Sequence, residues 1–261
     1  MCFDLDSRPP IDPIAGGALD AGDVILKGAD GAEFRAFGAR PANPTGAGIV
    51  ILPDVRGLHP FFEELAQRFA EHGVAAVAID YFGRTAGTGP RGDDFDYQPH
   101  LAEVKWEHLQ GDIGAAVKYV RTKEGGAARS TFATGFCMGG RVASLSATLG
   151  LGLAGVIPFY GWPVGQSRGM PAPADVADKI ECDVLAIFGG ADQGIDAAAR
   201  KAFDEALDKA NVKHKIVVYP DAPHSFFDRK AAEFAEASTA AWEETLAFIR
   251  RHTAGQPIAA A

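Results

Sequence analysis

Three side chains, far apart in the chain, could together break an acyl bond. The first is Cys137, in the stretch ATGFCMGGRVA, where Gly135 and Gly139 frame it as G-x-C-x-G. A nucleophile between two such glycines, at a sharp turn from strand to helix, is held clear of the backbone. A helix N-terminus there favours the thiolate over the thiol. The second is His224, in YPDAPHSFFD, straight after the last strand that the sequence predicts. The third is Asp192, in FGGAD, which falls between them in chain order. A carboxylate in that place can accept the imidazole N–H, fix its tautomer and stabilise the imidazolium. Nucleophile, acid, histidine is one of the orders in which such triads occur. Rival residues have plainer readings. Cys182 opens an apolar strand at the end away from this site and reads as core, and Cys2 has no assignable role. Asp196 opens a helix, where capping explains it, and Asp183 sits at the wrong end of its strand. His59 also follows a strand and is the competing base.

The elements that must position these groups alternate along the chain. Apolar or alternating runs predict strands at 24–28, 33–41, 48–53, 74–80, 130–135, 154–161, 182–190 and 213–220. Between them, Phe61, Leu65 and Phe69 mark a helix stopped by Gly73, and Leu109, Ile113, Val117 and Val120 mark another. Further helices are predicted at 137–150, 196–211 and 233–252, the last with Trp242, Leu246 and Ile249 on one side. This is an α/β pattern: a mostly parallel central sheet of about eight strands with helices on both faces. Residues 1–22 read as an irregular extension, 23–252 as one domain and 253–261 as a frayed tail, with a long loop at 85–100. Ligands of such sheets bind outside the carboxyl ends of the strands. Those ends carry Asp54, Arg84, Cys137, Tyr160, Trp162, Asp192 and His224.

Composition narrows the partners. The chain has 261 residues, 47% hydrophobic and 23% charged, with a net charge of −9. That acidity makes nucleic acid and anionic membrane poor partners. Three cysteines without metal or redox spacing fit a reducing cytosol, and the acidic N-terminus lacks the basic and apolar segments of a signal peptide. No apolar run approaches the roughly 20 residues of a membrane span. The expectation is a cytoplasmic protein acting on a small molecule. No cofactor or metal is expected, because the triad supplies both nucleophile and proton transfer, and no dinucleotide or phosphate-binding loop is present.

GFCMGG, FGGAD and DAPHSFFD, with LPDVRGL and IDYFGRTAG upstream, resemble the dienelactone hydrolase family over nearly the whole chain from about Val24. The resemblance implies an α/β-hydrolase fold with Cys137, Asp192 and His224 as the triad. It implies an oxyanion hole from the N–H groups of Met138 and Val55, and Arg84 as a binder of the substrate's carboxylate. Asp54 falls where the family has a glutamate that holds the resting thiol, and Asp228 where it has a second arginine. Tyr160 and Trp162, at the end of their strand, are candidates for contact with substrate or thiol. The expected reaction is hydrolysis of a small, carboxylate-bearing ester or lactone through a thioester. The alternatives are thioester or other acyl hydrolysis on the same triad, and a non-catalytic ligand-binding relative.

Overall fold

The computed structural model describes residues 7–14, 20–92, 94–228 and 230–253. Cys2, Arg229 and most of the tail lie outside them. In chain order the strands are β1 (Asp20–Lys27), β2 (Glu33–Arg40), β3 (Ala47–Leu52), β4 (Ala75–Ile79), β5 (Ser130–Phe136), β6 (Gly155–Phe159), β7 (Asp183–Gly189) and β8 (His214–Tyr219). They form one sheet in the order β1-β2-β4-β3-β5-β6-β7-β8. β1 and β2 run antiparallel and the six others are mutually parallel. Every residue of β3, β4, β5 and β6 is buried. That is why β3, β4 and β6 read as unbroken apolar runs rather than as alternating ones, while β5 buries Ser130, Thr131 and Thr134 among its apolar residues.

The helices are α1 (Pro60–Glu71), the short α2 (Gly83–Ala86) and α3 (Gln98–Ala102), α4 (Trp106–Arg121), α5 (Met138–Ser146), α6 (Ala197–Lys209) and α7 (Ala235–His252). Alternation along β5 sorts four of them. Phe132 and Phe136 point one way, with rings 6.2 Å from Phe248 of α7 and 6.4 Å from Phe61 of α1. Gly135 points the other way, onto the backbone of α5. Gly48, whose register partner on β5 is Thr131, faces Val120 of α4. So α1 and α7 cover one face, and α4 and α5 the other. The expected α/β-hydrolase arrangement is present. No helix among the described residues is long and apolar enough to cross a membrane.

Four features differ from expectation. β1 begins at Asp20, so residues 20–22 are strand rather than extension. DAGD hides this because an edge strand needs few apolar residues, and its pairing with β2 supplies the order. α3 begins within the 85–100 loop, and the loop after Trp162 contains a 3₁₀ helix, Pro173–Lys179. α5 is shorter than 137–150 at both ends: Cys137 is its cap, not its first residue, and the helix stops at Ser146.

Candidate active site

The turn at Cys137 is built by its glycines. A side chain on Gly135 would strike Gly139 of α5, and one on Gly139 would strike the carbonyls of Leu52 and Pro53 at the end of β3. The helix can therefore start immediately after the strand, hard against the neighbouring loop. Cys137 takes φ 58°, ψ −115°, a region that costs a non-glycine residue about 1–3 kcal/mol. Its N–H donates to Phe159 O at 3.1 Å, which pins it to the end of β6. Met138 N–H opens α5 and has no acceptor within the helix.

The acid and the histidine meet directly. Asp192 Oδ2 lies 2.7 Å from His224 Nδ1, while Oδ1 accepts from Gly194 N–H at 2.8 Å and Ile195 N–H at 3.2 Å. Burial pushes the Asp192 carboxyl up, but His224 and the two N–H groups outweigh it and hold it below the ordinary carboxylate range. With Nδ1–H given to the carboxylate, Nε2 is the basic nitrogen. The imidazole lies between two aromatic rings, Tyr160 at 5.0 Å and Trp162 at 4.8 Å. Phe159 O accepts from Cys137, and the next residue packs on His224. Thus the end of β6 joins the thiol to the Asp192–His224 pair.

The loop after β3 is shaped by Asp54, which is fully buried. Its Oδ1 accepts from Arg56 N–H at 2.9 Å and its carbonyl from Gly57 N–H at 3.2 Å, a tight turn that carries Val55. Tyr81, two residues beyond β4, donates to Pro53 O at 2.7 Å and braces that loop. Burial first, then the nearby Asp54, Asp80 and Cys137, hold its phenol well above the ordinary range, so it stays a donor. Sequence reasoning missed Tyr81. Its one signal was its place after a strand end.

Two of the expected contact residues have partners within the protein. Arg84, on α2, reaches the β1–β2 hairpin and α4. There Nε and Nη2 donate to Asp30 at 2.9 and 2.8 Å, and Nη1 and Nη2 donate to Asp112 at 2.6 and 2.8 Å. These two carboxylates fill the fork that a substrate carboxylate would need. Tyr160 is fully buried, its hydroxyl donates to Asp228 Oδ2 at 2.9 Å and its ring packs on His224. Trp162 does stand at the site, with its ring on His224. The rival groups have structural work. His59 caps α1, accepting from Phe61 N–H at 3.4 Å, and burial, then Arg56, hold its imidazole down at about 3. Asp196 caps α6, accepting from Ala199 N–H at 2.7 Å. Burial, then Asp183 and Glu181, push the Cys182 thiol up to about 12.

A sequence model of the dienelactone hydrolase family matches residues 34–253. A Salmonella typhimurium protein named "Putative carboxymethylenebutenolidase" is 30% identical over 246 residues, spanning 90% of this chain and 89% of its own. A Methylorubrum extorquens protein of the same name is 31% identical over 246 residues, spanning 90% of this chain and 82% of its own. The crystal structure titled "Putative Dienelactone Hydrolase" from Klebsiella pneumoniae superposes with a TM-score of 0.77 at 28% identity, covering 89% of this chain and 98% of that one.

Proposed function

The chain belongs to the dienelactone hydrolase family, whose members hydrolyse esters and lactones, and from that premise we propose that it works through Cys137, with His224 as base and Asp192 as its orienting acid. The observation that carries this reading is the 2.7 Å contact between Asp192 and His224 Nδ1, joined through the end of β6 to a cysteine at positive φ ahead of a helix. His224 Nε2 takes the Cys137 proton, and the thiolate adds to the acyl carbon. The N–H groups of Met138 and Val55 hold the resulting oxyanion, and removing one such donor costs about 3–4 kcal/mol in comparable sites. The tetrahedral adduct collapses to a thioester as the C–O bond breaks, and the departing alkoxide takes the proton from His224. Water then gives a proton to Nε2, adds to the thioester and releases the acid, and the proton returns to the thiolate. Trp162 walls the site beside the imidazole. Because Arg84 is engaged by Asp30 and Asp112, the substrate we propose is a small ester or lactone that need not carry a carboxylate.

Acid quenching during turnover of a slow p-nitrophenyl ester, followed by digestion and mass spectrometry, should find the acyl group on the Cys137 peptide. Acylation at another residue, or turnover that survives Cys137→Ala, would overturn the proposal.

A further inference from the structure

The lateral reach of the site poses a problem of alignment. Cys137 follows β5 and His224 follows β8, with β6 and β7 between them in the sheet. At about 4.8 Å per strand, loops must span roughly 14 Å to bring an imidazole to the thiol. β8 is an edge strand, and the His224 side chain remains 23% exposed. Misplacement by about 1 Å can cost about 100-fold in rate.

One buried side chain links these parts. Arg141 lies one helical turn after Cys137 and is 2% exposed. The two terminal nitrogens of its guanidinium donate to carbonyls of a single loop: Nη1 to Trp162 at 3.2 Å and Val164 at 3.5 Å, and Nη2 to Gly165 at 2.6 Å, Met170 at 3.1 Å and Pro171 at 2.7 Å. The loop so held presents Trp162, whose Nε1–H donates to Gly194 O at 3.0 Å. Gly194 N–H in turn donates to Asp192 Oδ1 at 2.8 Å, and Asp192 Oδ2 meets His224 Nδ1 at 2.7 Å. The path is continuous from the helix that carries the thiol to the imidazole, and the Trp162 ring touches its far end at 4.8 Å.

We infer that Arg141 and Trp162 form a strut that positions the Asp192–His224 pair relative to Cys137, with both acting as positioning residues. The inference rests on the cysteine-triad reading above. Arginine suits the task because its planar fork reaches several carbonyls at fixed angles, whereas a lysine ammonium offers three donors on a flexible stem. The indole N–H is the other specific element, since phenylalanine keeps an aromatic face on His224 but drops the bond to Gly194.

The test uses Trp162→Phe, Arg141→Lys and the double variant, each checked for fold by thermal unfolding. Steady-state kinetics on p-nitrophenyl acetate are compared with an NMR titration of the His224 imidazole. Each single variant should lower kcat about 10-fold with KM within about twofold, since alignment rather than ground-state binding is lost. The His224 midpoint should fall, because a misaligned Asp192 stabilises the imidazolium less. The double variant should be no worse than the poorer single, the mark of one coupled unit. A folded Trp162→Phe protein with wild-type kcat and an unmoved His224 titration would overturn the strut, as would losses that multiply in the double variant. Should Arg141→Lys not fold, Trp162→Phe decides the question. The imidazole titration needs no turnover, so it still decides the strut if Cys137→Ala keeps full activity, a result that would instead remove the cysteine reading.

Discussion

Replacing Arg84 with alanine should destabilise the protein without changing its choice of substrate. The Asp112 side chain is 1% exposed and that of Arg84 17%, and the two share a pair of charge-assisted hydrogen bonds at 2.6 and 2.8 Å. Removing one partner of a buried ion pair costs about 3–5 kcal/mol, because the other charge is left in low dielectric. Arg84 is at the rim rather than in the interior, and Asp112 can relax towards water, so about 2–4 kcal/mol is the expected loss. The Asp30 arm is solvent-exposed and adds little. In a chain of this size that lowers Tm by about 5–10 °C. The loss should depend on pH in a definite sense. Burial raises the Asp112 carboxyl even with Arg84 present, and deleting the guanidinium raises it further. A carboxyl raised on folding binds its proton better in the native state, so stability falls as pH rises through its titration. The deficit of Arg84→Ala should therefore be smallest in acid and grow as pH climbs past about 4. Thermal unfolding of both proteins from acid to neutral pH measures this, and kcat/KM on an anionic and a neutral ester checks specificity. A variant with unchanged Tm and a selective loss on the anionic ester would refute the reasoning and return Arg84 to the binding site.

Cys137→Ala should lower hydrolysis by about 10⁴-fold or more with the fold intact, whereas Cys182→Ala, at a half-buried thiol just before β7, should leave the rate nearly unchanged; side-by-side rates and unfolding curves check both. His224→Asn should cost more in kcat than Asp192→Asn, since the base transfers the proton and the carboxylate orients it. Asp192 is held low in the folded state, so its contribution to stability is present above the unfolded carboxyl range and lost as pH falls through the folded value. The Tm gap between wild type and Asp192→Asn should then close below about pH 4. His59→Ala should cost about 1 kcal/mol as a lost helix cap and leave kcat close to wild type; a dead but folded variant would make His59 the base.

The strand ends of the fold were legible because burial writes itself into composition. β3, β4 and β6 are buried on both faces and read as continuous apolar runs, so their last residues could be counted off and the chemistry sought there. The turn at Cys137 was legible for a related reason: Gly135 and Gly139 stand where only a hydrogen fits between backbones, and a missing side chain is visible in a sequence. β1 was read short because an edge strand carries no such run, and its order comes from pairing with residues up to twenty positions away, as in Asp20 opposite Arg40.

Side-chain destinations are a different kind of information. The position of Arg84 after β4 fixes its backbone near the carboxyl edge of the sheet, but its charged end is several ångströms further on, and the direction is set by α2. What draws it away is Asp30 on the hairpin and Asp112 on α4, and neither is adjacent to it in sequence. Tyr160 is governed likewise by Asp228, 68 residues later, and Arg141 by carbonyls 21 to 30 residues later, which have no side-chain signature at all. A short side chain such as the thiol of Cys137 sits where its backbone sits, so a motif carries its position faithfully. A long cation acts where its partners are, and a motif carries only its root. The reach of each arginine in this chain therefore has to be read from the acids that compete for it, and two of them hold Arg84.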